Sequence, residues 1–342
     1  MTLPDDNPYL HDILDQPDAL RRTLEGLSPS PALLAVAGRL NRSGFRQVIL
    51  TGMGSSLHAL HPLHRELAGR GLAAAMIETS ELIHYAEEAL NPAVLVIAVS
   101  QSGRSAETVR LMEMNRGRAA VIGVTNTADS PLAEGADAMV LMRAGSESTV
   151  SCKTYLATLV ALAWLGDTLA GRPDPDLALA APAVSAYLAG WRGHVEEVRE
   201  RLAGARHLFL AGRGPSLASA GTGGLIVKEA AHFPAEGMSA AAFRHGPFEM
   251  VNPGVFLLVF AGAPRTAALN ERLAAEVAAA GGRAAVVSAS AAEGVFRIPS
   301  VPERLLPIVE ILPVQMATLG LAALAGHRAG KFRLASKVTA TE

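Results

Sequence analysis

Apolar residues occur in short runs along the chain, and each run ends at a glycine or a hydroxyl residue. The clearest run covers residues 93–99, seven apolar and mostly branched residues, and Ser100-Gln101-Ser102-Gly103 follows it. An uninterrupted run of this length is typical of a strand buried on both faces of a parallel sheet. Beyond the turn, Ala106, Val109 and Met112 share one face of a helix. The pattern therefore predicts a strand, a turn and a helix in succession.

The same alternation predicts further strands on both sides of this one. In the first half they cover residues 48–50, 73–77, 119–124 and 138–141, with helical patterns between them. The pattern restarts at residue 207, about 160 residues after the first strand, and continues with a strand at 255–260. Strands that alternate with helices form right-handed parallel sheets with ligands at the carboxyl ends. We expect two homologous doubly wound halves, each three-layered (α/β/α) and flavodoxin-like.

Helical patterns lie before, between and after the strands. We expect an exposed lead-in at the N-terminus, then a helix anchored by Leu20, Leu24 and Leu27. Other helices are expected at residues 29–40, 155–169 and about 180–203, and from near Ser219. Residues 171–176 are rich in proline and aspartate and indicate a linker.

The turn after residue 99 has the chemistry of an anion site. Ser100, Ser102 and Ser105 supply short hydroxyl donors, and the following helix contributes free amides and the positive end of its dipole. The expected ligand is a phosphate monoester, held without a basic side chain. A capped turn that binds nothing is the alternative that these residues alone leave open. Thr51-Gly52-Met53-Gly54-Ser55-Ser56 forms a second such turn after the first strand.

These turns resemble the signatures of the sugar isomerase (SIS) family. Residues 100–108 are similar to S-x-S-G-x-[ST]-x-[DE]-[ST], and residues 52–56 to G-x-G-[ST]-S. Residues 147–153 are similar to E-x-x-V-A-S-T-K but are one residue shorter, and residues 14–24 resemble the lead-in of the isomerase half of glucosamine-6-phosphate synthase. The resemblance implies two SIS domains and no cofactor or metal. It implies a substrate site made by Ser55, Ser56, Ser100, Gln101, Ser102, Ser105, Val150 and Ser151.

A second group of motifs implies acid–base chemistry. Lys228-Glu229 and His245-Gly246-Pro247 resemble the family's K-E-x(15)-H-G-P arrangement, and residues 334–342 resemble its tail L-A-K-S-V-T-V-E. The resemblance implies that Glu229 shuttles a proton between C1 and C2, that His245 assists ring opening, and that Lys337 forms an imine with the open-chain ketose. Taken alone, the pair and the turn could be a solvated helix surface and a structural turn. Counted from the end of the chain, Lys337 matches the lysine of the family tail, but counted from Leu334-Ala335, Ser336 matches it.

Composition narrows the function classes. A formal net charge of -2 gives no reason to expect nucleic acid or a membrane as partner, and the single Cys152 excludes disulfides within the chain and cysteine-rich metal sites. The first residues are acidic and no apolar run approaches the roughly 18 residues of a membrane span, so we expect a cytoplasmic protein. Only four of the 30 basic residues are lysines, and three of these, Lys153, Lys228 and Lys337, lie in family motifs.

These observations predict four regions: a lead-in helix (1–30), a phosphosugar-binding SIS domain (31–172), a second SIS domain with the acid–base residues (173–333) and a tail over the active site (334–342). The expected activity is aldose–ketose isomerisation with deamination, between glucosamine 6-phosphate and fructose 6-phosphate, without a glutaminase domain. A fructosamine-6-phosphate deglycase and a non-catalytic phosphosugar sensor are the alternatives. The family's glutamate shortly before His-Gly-Pro is replaced by Ala241-Ala242, a departure that bears on the choice of substrate. The resemblance also implies a homodimer with shared active sites.

Overall fold

Two all-parallel sheets form in the computed structural model, which describes residues 7–173, 175–339 and 341. Within these residues the first sheet has five strands in the order β2-β1-β3-β4-β5, and the second has four in the order β7-β6-β8-β9. Both orders begin as in flavodoxin-like folds, with the first strand beside the third. The predicted fold class is therefore confirmed. The strands are β1 Gln47–Gly52, β2 Ala74–Glu78, β3 Val94–Val99, β4 Ala120–Thr125, β5 Ala138–Leu141, β6 His207–Gly212, β7 Ala235–Ser239, β8 Val255–Phe260 and β9 Arg283–Val287.

Helices connect the strands and cover the sheets. In chain order they are α1 Pro8–Leu14, α2 Gln16–Gly26, α3 Pro31–Asn41, α4 Gly54–Ala59, α5 His61–Gly69, α6 Thr79–Tyr85, α7 Ala106–Asn115, α8 Pro131–Gly135, α9 Lys153–Ala170, α10 Ala180–Leu188, α11 Trp191–Leu202, α12 Leu217–Ala231, α13 Pro264–Ala279 and α14 Leu306–Leu324. Short 3₁₀ turns include Gly214–Ser216, Ala242–Arg244 and Glu303–Leu305. The helix expected over residues 180–203 is two helices, because the chain turns at Gly190 before Trp191 begins α11.

The described residues divide into two compact units. The first unit contains the first sheet and comprises Asp18–Ser146, Lys153–Ala178 and the tail from Ala335. The second unit contains the second sheet and comprises the chain up to Pro17, Glu147–Cys152 and Leu179–Leu334. These units differ from the predicted regions, since the lead-in divides at Pro17 and the Glu147–Cys152 segment groups with the second sheet. Residues 1–6, 174, 340 and 342, which belong to the predicted lead-in, linker and tail, lie outside the described residues.

Each unit has its own apolar core around its central strand. All six residues of β3 are buried in the first unit, and all six of β8 in the second, as expected for strands covered on both faces. One helical stretch, Glu303–Leu324, is long and apolar enough to cross a membrane. However, 94% of its most apolar window is buried inside the structure, so the core of the second unit accounts for its apolar surface.

The N-terminal segment is not the exposed lead-in that we expected. Asn7 caps α1 by accepting a hydrogen bond from the Tyr9 amide (3.0 Å), and the helix buries Tyr9, Leu10 and Ile13. The spacing of these three residues makes one apolar helix face. Polar groups fix the segment further, because Gln16 and Gln315 exchange two side-chain hydrogen bonds of 2.9 and 2.8 Å in the core.

Backbone contact between α12 and β7 sets the position of α12. A Cβ atom added at Gly224 would lie 2.4 Å from the amide nitrogen of Gly237, whereas one added at Gly193 in α11 meets nothing within 4 Å. Only a residue without a side chain allows the helix to approach the strand this closely.

We predict that Gly224→Ala lowers the free energy of unfolding by about 1–3 kcal/mol or more, because the backbone must move to admit the methyl group. Gly193→Ala is the matched control in the same unit and should be neutral or stabilising by up to about 1 kcal/mol, since alanine favours helix. Denaturant unfolding of both variants measures the difference. Equal stabilities would contradict the close approach.

Candidate active site

The first sheet changes winding direction between β1 and β3, whose carboxyl ends meet. Gly52 at the end of β1 pairs laterally with Val99 at the end of β3. Ligands of open parallel sheets bind at this switch point. A Cβ atom at Gly52 would lie 3.0 Å from the Val99 carbonyl oxygen and 3.1 Å from the Leu57 amide nitrogen, so glycine lets the turn fold back onto α4.

The turn after β3 is held by its own serine hydroxyls. The Gly103 amide donates to Ser100 Oγ (3.2 Å), and the Arg104 amide donates to Ser102 Oγ (3.1 Å). Gly103 has φ +63°, and a Cβ there would lie 2.2 Å from Ser130 Oγ. Both constraints select glycine at this position. The Gln101 carbonyl accepts from the Asn126 amide (3.0 Å), which ties the turn to the end of β4.

The tail lies at the start of α7. Ser105 precedes this helix, and its Oγ lies 2.7 Å from Thr108 Oγ1. The Ala106 amide donates to the Thr339 carbonyl (3.1 Å), so the tail takes one of the helix-terminal amides that we expected to be free. Lys337 is partly buried and only two residues from Thr339, so their Cα atoms lie within about 7 Å. The first unit thus brings Lys337 near the serine turn.

Ser55 carries a hydroxyl that the described residues leave unsatisfied. Its Oγ is buried and has no hydrogen-bond partner among them. The neighbouring Ser56 amide donates to the Met53 carbonyl (3.0 Å) within the same turn. A buried hydroxyl without a partner costs about 1–3 kcal/mol, so a ligand that bonded to it would recover that energy.

Arg104 and His61 place no free positive charge at this switch point, and the carboxyl group of Glu107, in the first turn of α7, is buried with its Oε2 lacking a hydrogen-bond partner among the described residues. Arg104 is 46% exposed and forms an ion pair of 3.3 Å with Asp129. His58 and His61 stack with ring centroids 6.4 Å apart. Burial and the neighbouring His58 lower the pKa of His61 to about 4, so this ring is uncharged at neutral pH. The serine turn is therefore a site of neutral donors.

Glu229 lies in the last turn of α12, in the second unit, and is partly buried. Burial raises the pKa of the Tyr9 phenol well above 10, and Cys152, Glu229 and Glu147 raise it further by charge repulsion. These three groups therefore share the surroundings of Tyr9. Sequence reasoning did not identify Tyr9 or Glu147 as neighbours of Glu229, because only folding places α1 beside them.

Two carboxylates hold the Glu147–Cys152 segment by accepting hydrogen bonds from its backbone amides. Glu147 Oε1 accepts from the Cys152 amide (2.9 Å), and Asp12 Oδ2 accepts from the Ser148 amide (2.8 Å). Within the segment Val150 is fully buried, and Ser151 is partly buried. At 0% exposure, neither the side chain nor the backbone of Val150 is accessible to a ligand in this structure.

His245 is exposed at the end of the 3₁₀ turn Ala242–Arg244. Its amide donates to the Ala242 carbonyl (2.9 Å), and Gly246 follows with φ +132°. An ion pair between Arg244 and Glu276 anchors the turn. The predicted site residues thus fall into two sets. Ser55, Ser56, Ser100, Gln101, Ser102, Ser105 and Lys337 belong to the first unit, and Val150, Ser151, Glu229 and His245 to the second.

The equivalent switch point of the second sheet, between β6 and β8, has different chemistry. Ser216 takes the place of Ser56, but its hydroxyl donates to Glu310 Oε1 (2.8 Å). The turn after β8 is Ala261-Gly262-Ala263, which offers no hydroxyl. Arg213 Nε donates to Asn270 Oδ1 (3.1 Å) beside it. Serines that could surround a phosphate are absent from this turn.

Comparisons with known proteins agree with this architecture. The family model described as SIS domain matches residues 43–166 and 201–325. A glutamine–fructose-6-phosphate aminotransferase (isomerizing) of Aeropyrum pernix is 32% identical over 357 residues, which cover 97% of this chain and 57% of the relative. The chain thus spans a little over half the length of the curated relatives it matches.

Two solved structures share the fold. Tagatose-6-phosphate ketose/aldose isomerase from Escherichia coli superposes with a TM-score of 0.83 at 19% identity, covering 98% of this chain and 99% of that one. Glucosamine-6-phosphate deaminase from Thermotoga maritima gives a TM-score of 0.78 at 20% identity, covering 98% and 100%. At these identities the likeness establishes the fold alone.

Proposed function

The chain belongs to the SIS domain family, and on that premise we propose that it is a phosphosugar aldose–ketose isomerase that releases ammonia from glucosamine 6-phosphate. The reverse reaction, amination of fructose 6-phosphate, uses the same groups. The relatives' names supply the substrate class. We expect the protein to work in the cytoplasm, without a metal or an organic cofactor.

The observation that carries the proposal is the pair of hydroxyl turns at the β1–β3 switch point. The serines after β3 line a helix N-terminus, and the Ser55 hydroxyl lacks a partner among the described residues. Neutral donors at a helix N-terminus bind phosphate without a cation. We assign phosphate binding to Ser55, Ser56, Ser100, Gln101, Ser102 and Ser105.

The proposed reaction begins when His245 assists opening of the sugar ring. Glu229 then takes the proton from C2 of the open-chain aldose and returns it at C1, while the nitrogen loses a proton and O1 gains one, so the C1 aldehyde becomes a hydroxymethyl group and the C2 amine becomes an imine. The Lys337 amine adds to C2, ammonia leaves, and water hydrolyses the lysine imine to release fructose 6-phosphate. An arginine cannot form this imine. The lysine at position 337 therefore fits a specific role, since only four of the 30 basic residues of the chain are lysines.

A coupled assay for ammonia and ketose 6-phosphate across a panel of amino-sugar phosphates tests the proposal. Ammonia and fructose 6-phosphate in equal amounts from glucosamine 6-phosphate would support it. Turnover of a fructosamine 6-phosphate alone would instead favour a deglycase. Tight phosphosugar binding without any turnover would favour a sensor.

We predict that Ser102→Ala raises the KM for the phosphosugar roughly tenfold to a hundredfold, because a hydrogen bond to a charged group is worth about 1.5–3 kcal/mol. Ser28→Ala is the control, since Ser28 is exposed in the loop between α2 and α3 of the same unit. Steady-state kinetics measure both variants. An unchanged KM in a folded Ser102→Ala protein would reject this phosphate assignment.

We predict that Lys337 is trapped as a sugar adduct when borohydride is added during turnover. Peptide mass spectrometry should find the adduct on the C-terminal peptide of the parent and of Lys331→Ala, the control at a nearby exposed lysine. Lys337→Ala should give no adduct and should lose activity. Full activity of Lys337→Ala would show that the tail serves only as a cover.

We predict an obligate homodimer in which His245 completes the partner's site, as the resemblance to the family implies, and the exposed position of His245 after the Ala242–Arg244 turn agrees with this. Glu229→Gln and His245→Ala proteins, each inactive, are mixed under conditions of subunit exchange. If one site draws these residues from different chains, each heterodimer has one intact site and activity returns. If verified heterodimers stay inactive, the shared site is rejected.

A further inference from the structure

A carboxyl group with no part in the proposed reaction is buried in the second unit. Glu310, in the first part of α14, is 0% exposed. Ser216 Oγ donates to its Oε1 (2.8 Å) and Ser219 Oγ to its Oε2 (3.2 Å). Both serines are themselves fully buried and lie where α12 begins. Glu310 therefore joins α14 to the start of α12.

The Ser219 hydroxyl has two acceptors but only one hydrogen. Its Oγ lies 3.2 Å from Glu310 Oε2 and 3.2 Å from the Pro307 carbonyl oxygen. When Glu310 is ionised, Ser219 donates to the carboxylate. When Oε2 carries a proton, that proton is donated to Ser219 Oγ, and the serine hydrogen turns to Pro307. In both protonation states the Glu310 carboxyl group and the Ser219 hydroxyl have hydrogen-bond partners, so neither state leaves a buried polar group unsatisfied.

Burial raises the pKa of Glu310 to about 7, and the two serine bonds oppose the rise. Among the described residues, burial and these two serine bonds are the causes of the shift. The ionisable groups on the elements that pack against α14 include Tyr187 of α10, His194 and Glu197 of α11, Lys228 and Glu229 of α12, Arg213 beside the Gly214–Ser216 turn, and Glu303 and Arg304 of the Glu303–Leu305 turn. Proton uptake at Glu310 consequently follows its own burial and its serine bonds.

Helix α12 connects this carboxyl group to Glu229. Its middle is in backbone contact with β7 at Gly224, and the Ala230 carbonyl in its last turn accepts from the Gly330 amide (3.0 Å). Ser219 and Glu229 are ten residues apart on this helix, or about 15 Å along its axis. Because these contacts limit bending within α12, a shift where the helix begins would be carried along its axis to Glu229.

We propose that Glu310 is a positioning residue that sets α12 through Ser216 and Ser219, so that the placement of Glu229 depends on proton binding at Glu310. The ionised form accepts from both hydroxyls, and its charge lies at the positive end of α12, which fixes the helix in one arrangement. Proton binding removes that charge and reverses the direction of the hydrogen bond between Ser219 Oγ and Glu310 Oε2. The link to catalysis rests on the proposed role of Glu229, whereas the proton site itself does not.

The proton site is tested by infrared difference spectroscopy of the whole protein between low and high pH. A carbonyl band of a protonated carboxylic acid should disappear with a midpoint near neutral pH, and Glu310→Gln should lack this band. Glu303→Gln, at a partly exposed residue paired with Arg265, is the matched control and should keep it. Ser219→Ala should move the midpoint upward, since the carboxylate loses one donor. A parent spectrum without the band, or Glu310→Gln with it, overturns the site.

The positioning role is tested by the pH profiles of kcat and KM for glucosamine 6-phosphate. In the parent, kcat should rise several-fold as Glu310 ionises while KM stays constant. Glu310→Gln should lose this rise, Ser219→Ala should shift it upward, and Glu303→Gln should keep it. If Glu310→Gln fails to fold, the upward shift of the kcat profile in Ser219→Ala is the deciding measurement. If both variants keep the same pH dependence of kcat as the parent, the positioning role is rejected.

Amide exchange along α12 separates failure of this inference from failure of the proposed function. If no phosphosugar is turned over, the parent should still exchange more slowly than Glu310→Gln at the start of α12 above neutral pH, and equally fast below it. That difference supports positioning by Glu310 even without a known substrate. Equal exchange at every pH overturns it.

Discussion

The lateral pairing of β1 and β3 is the constraint from which the candidate site follows. Because these strands are parallel and in register from Gln47–Val94 to Gly52–Val99, their carboxyl ends stop at the same level. The two turns that follow must then share one edge of the sheet. Glycines at positions 52 and 103 let these turns fold tightly, and serines beside them provide the donors. Without this register the serines would be separate helix caps.

Local pattern predicted seven of the nine described strands, all but β7 and β9, and the turns after β1 and β3, but it did not predict contacts between distant segments. A branched apolar run such as residues 94–99 has few alternatives to a buried strand, and positive φ at Gly103 follows from the sharpness of the turn. By contrast, Tyr9 is beside Thr318 (3.2 Å) and Gln16 beside Gln315, partners about 300 residues away. No periodicity carries that information, so the N-terminal segment looked exposed.

The site residues divide in the same way. Motif spacing singled out the serine turns, whose hydrogen bonds are mostly local, and it singled out Glu229 without revealing that Tyr9 and Glu147 are its neighbours. The hydrogen bond from the Ala106 amide to the Thr339 carbonyl could not be expected, because the described residues of the tail form no helix or strand that a pattern would predict. The burial of Glu310 could not be predicted from the sequence for another reason. A single carboxylate within an apolar helix pattern gives no sign of being buried until Ser216 and Ser219 are placed against it.

The two switch points show how one backbone can hold different chemistry. Each first turn has a glycine in the left-handed region two residues after the strand, Gly54 with φ +52° and Gly214 with φ +57°, because the path from strand to helix demands it. The serine hydroxyls in these two turns differ in their hydrogen-bond partners. Ser55 has no partner among the described residues, whereas Ser216 donates to a carboxyl group of its own unit. A hydroxyl that already satisfies a buried carboxyl group gains little from a ligand, and an anion beside an ionised carboxylate would be repelled. The second switch point is therefore unsuited to phosphate for two reasons, since Ser216 already bonds to a buried glutamate and the turn after β8 has no hydroxyl.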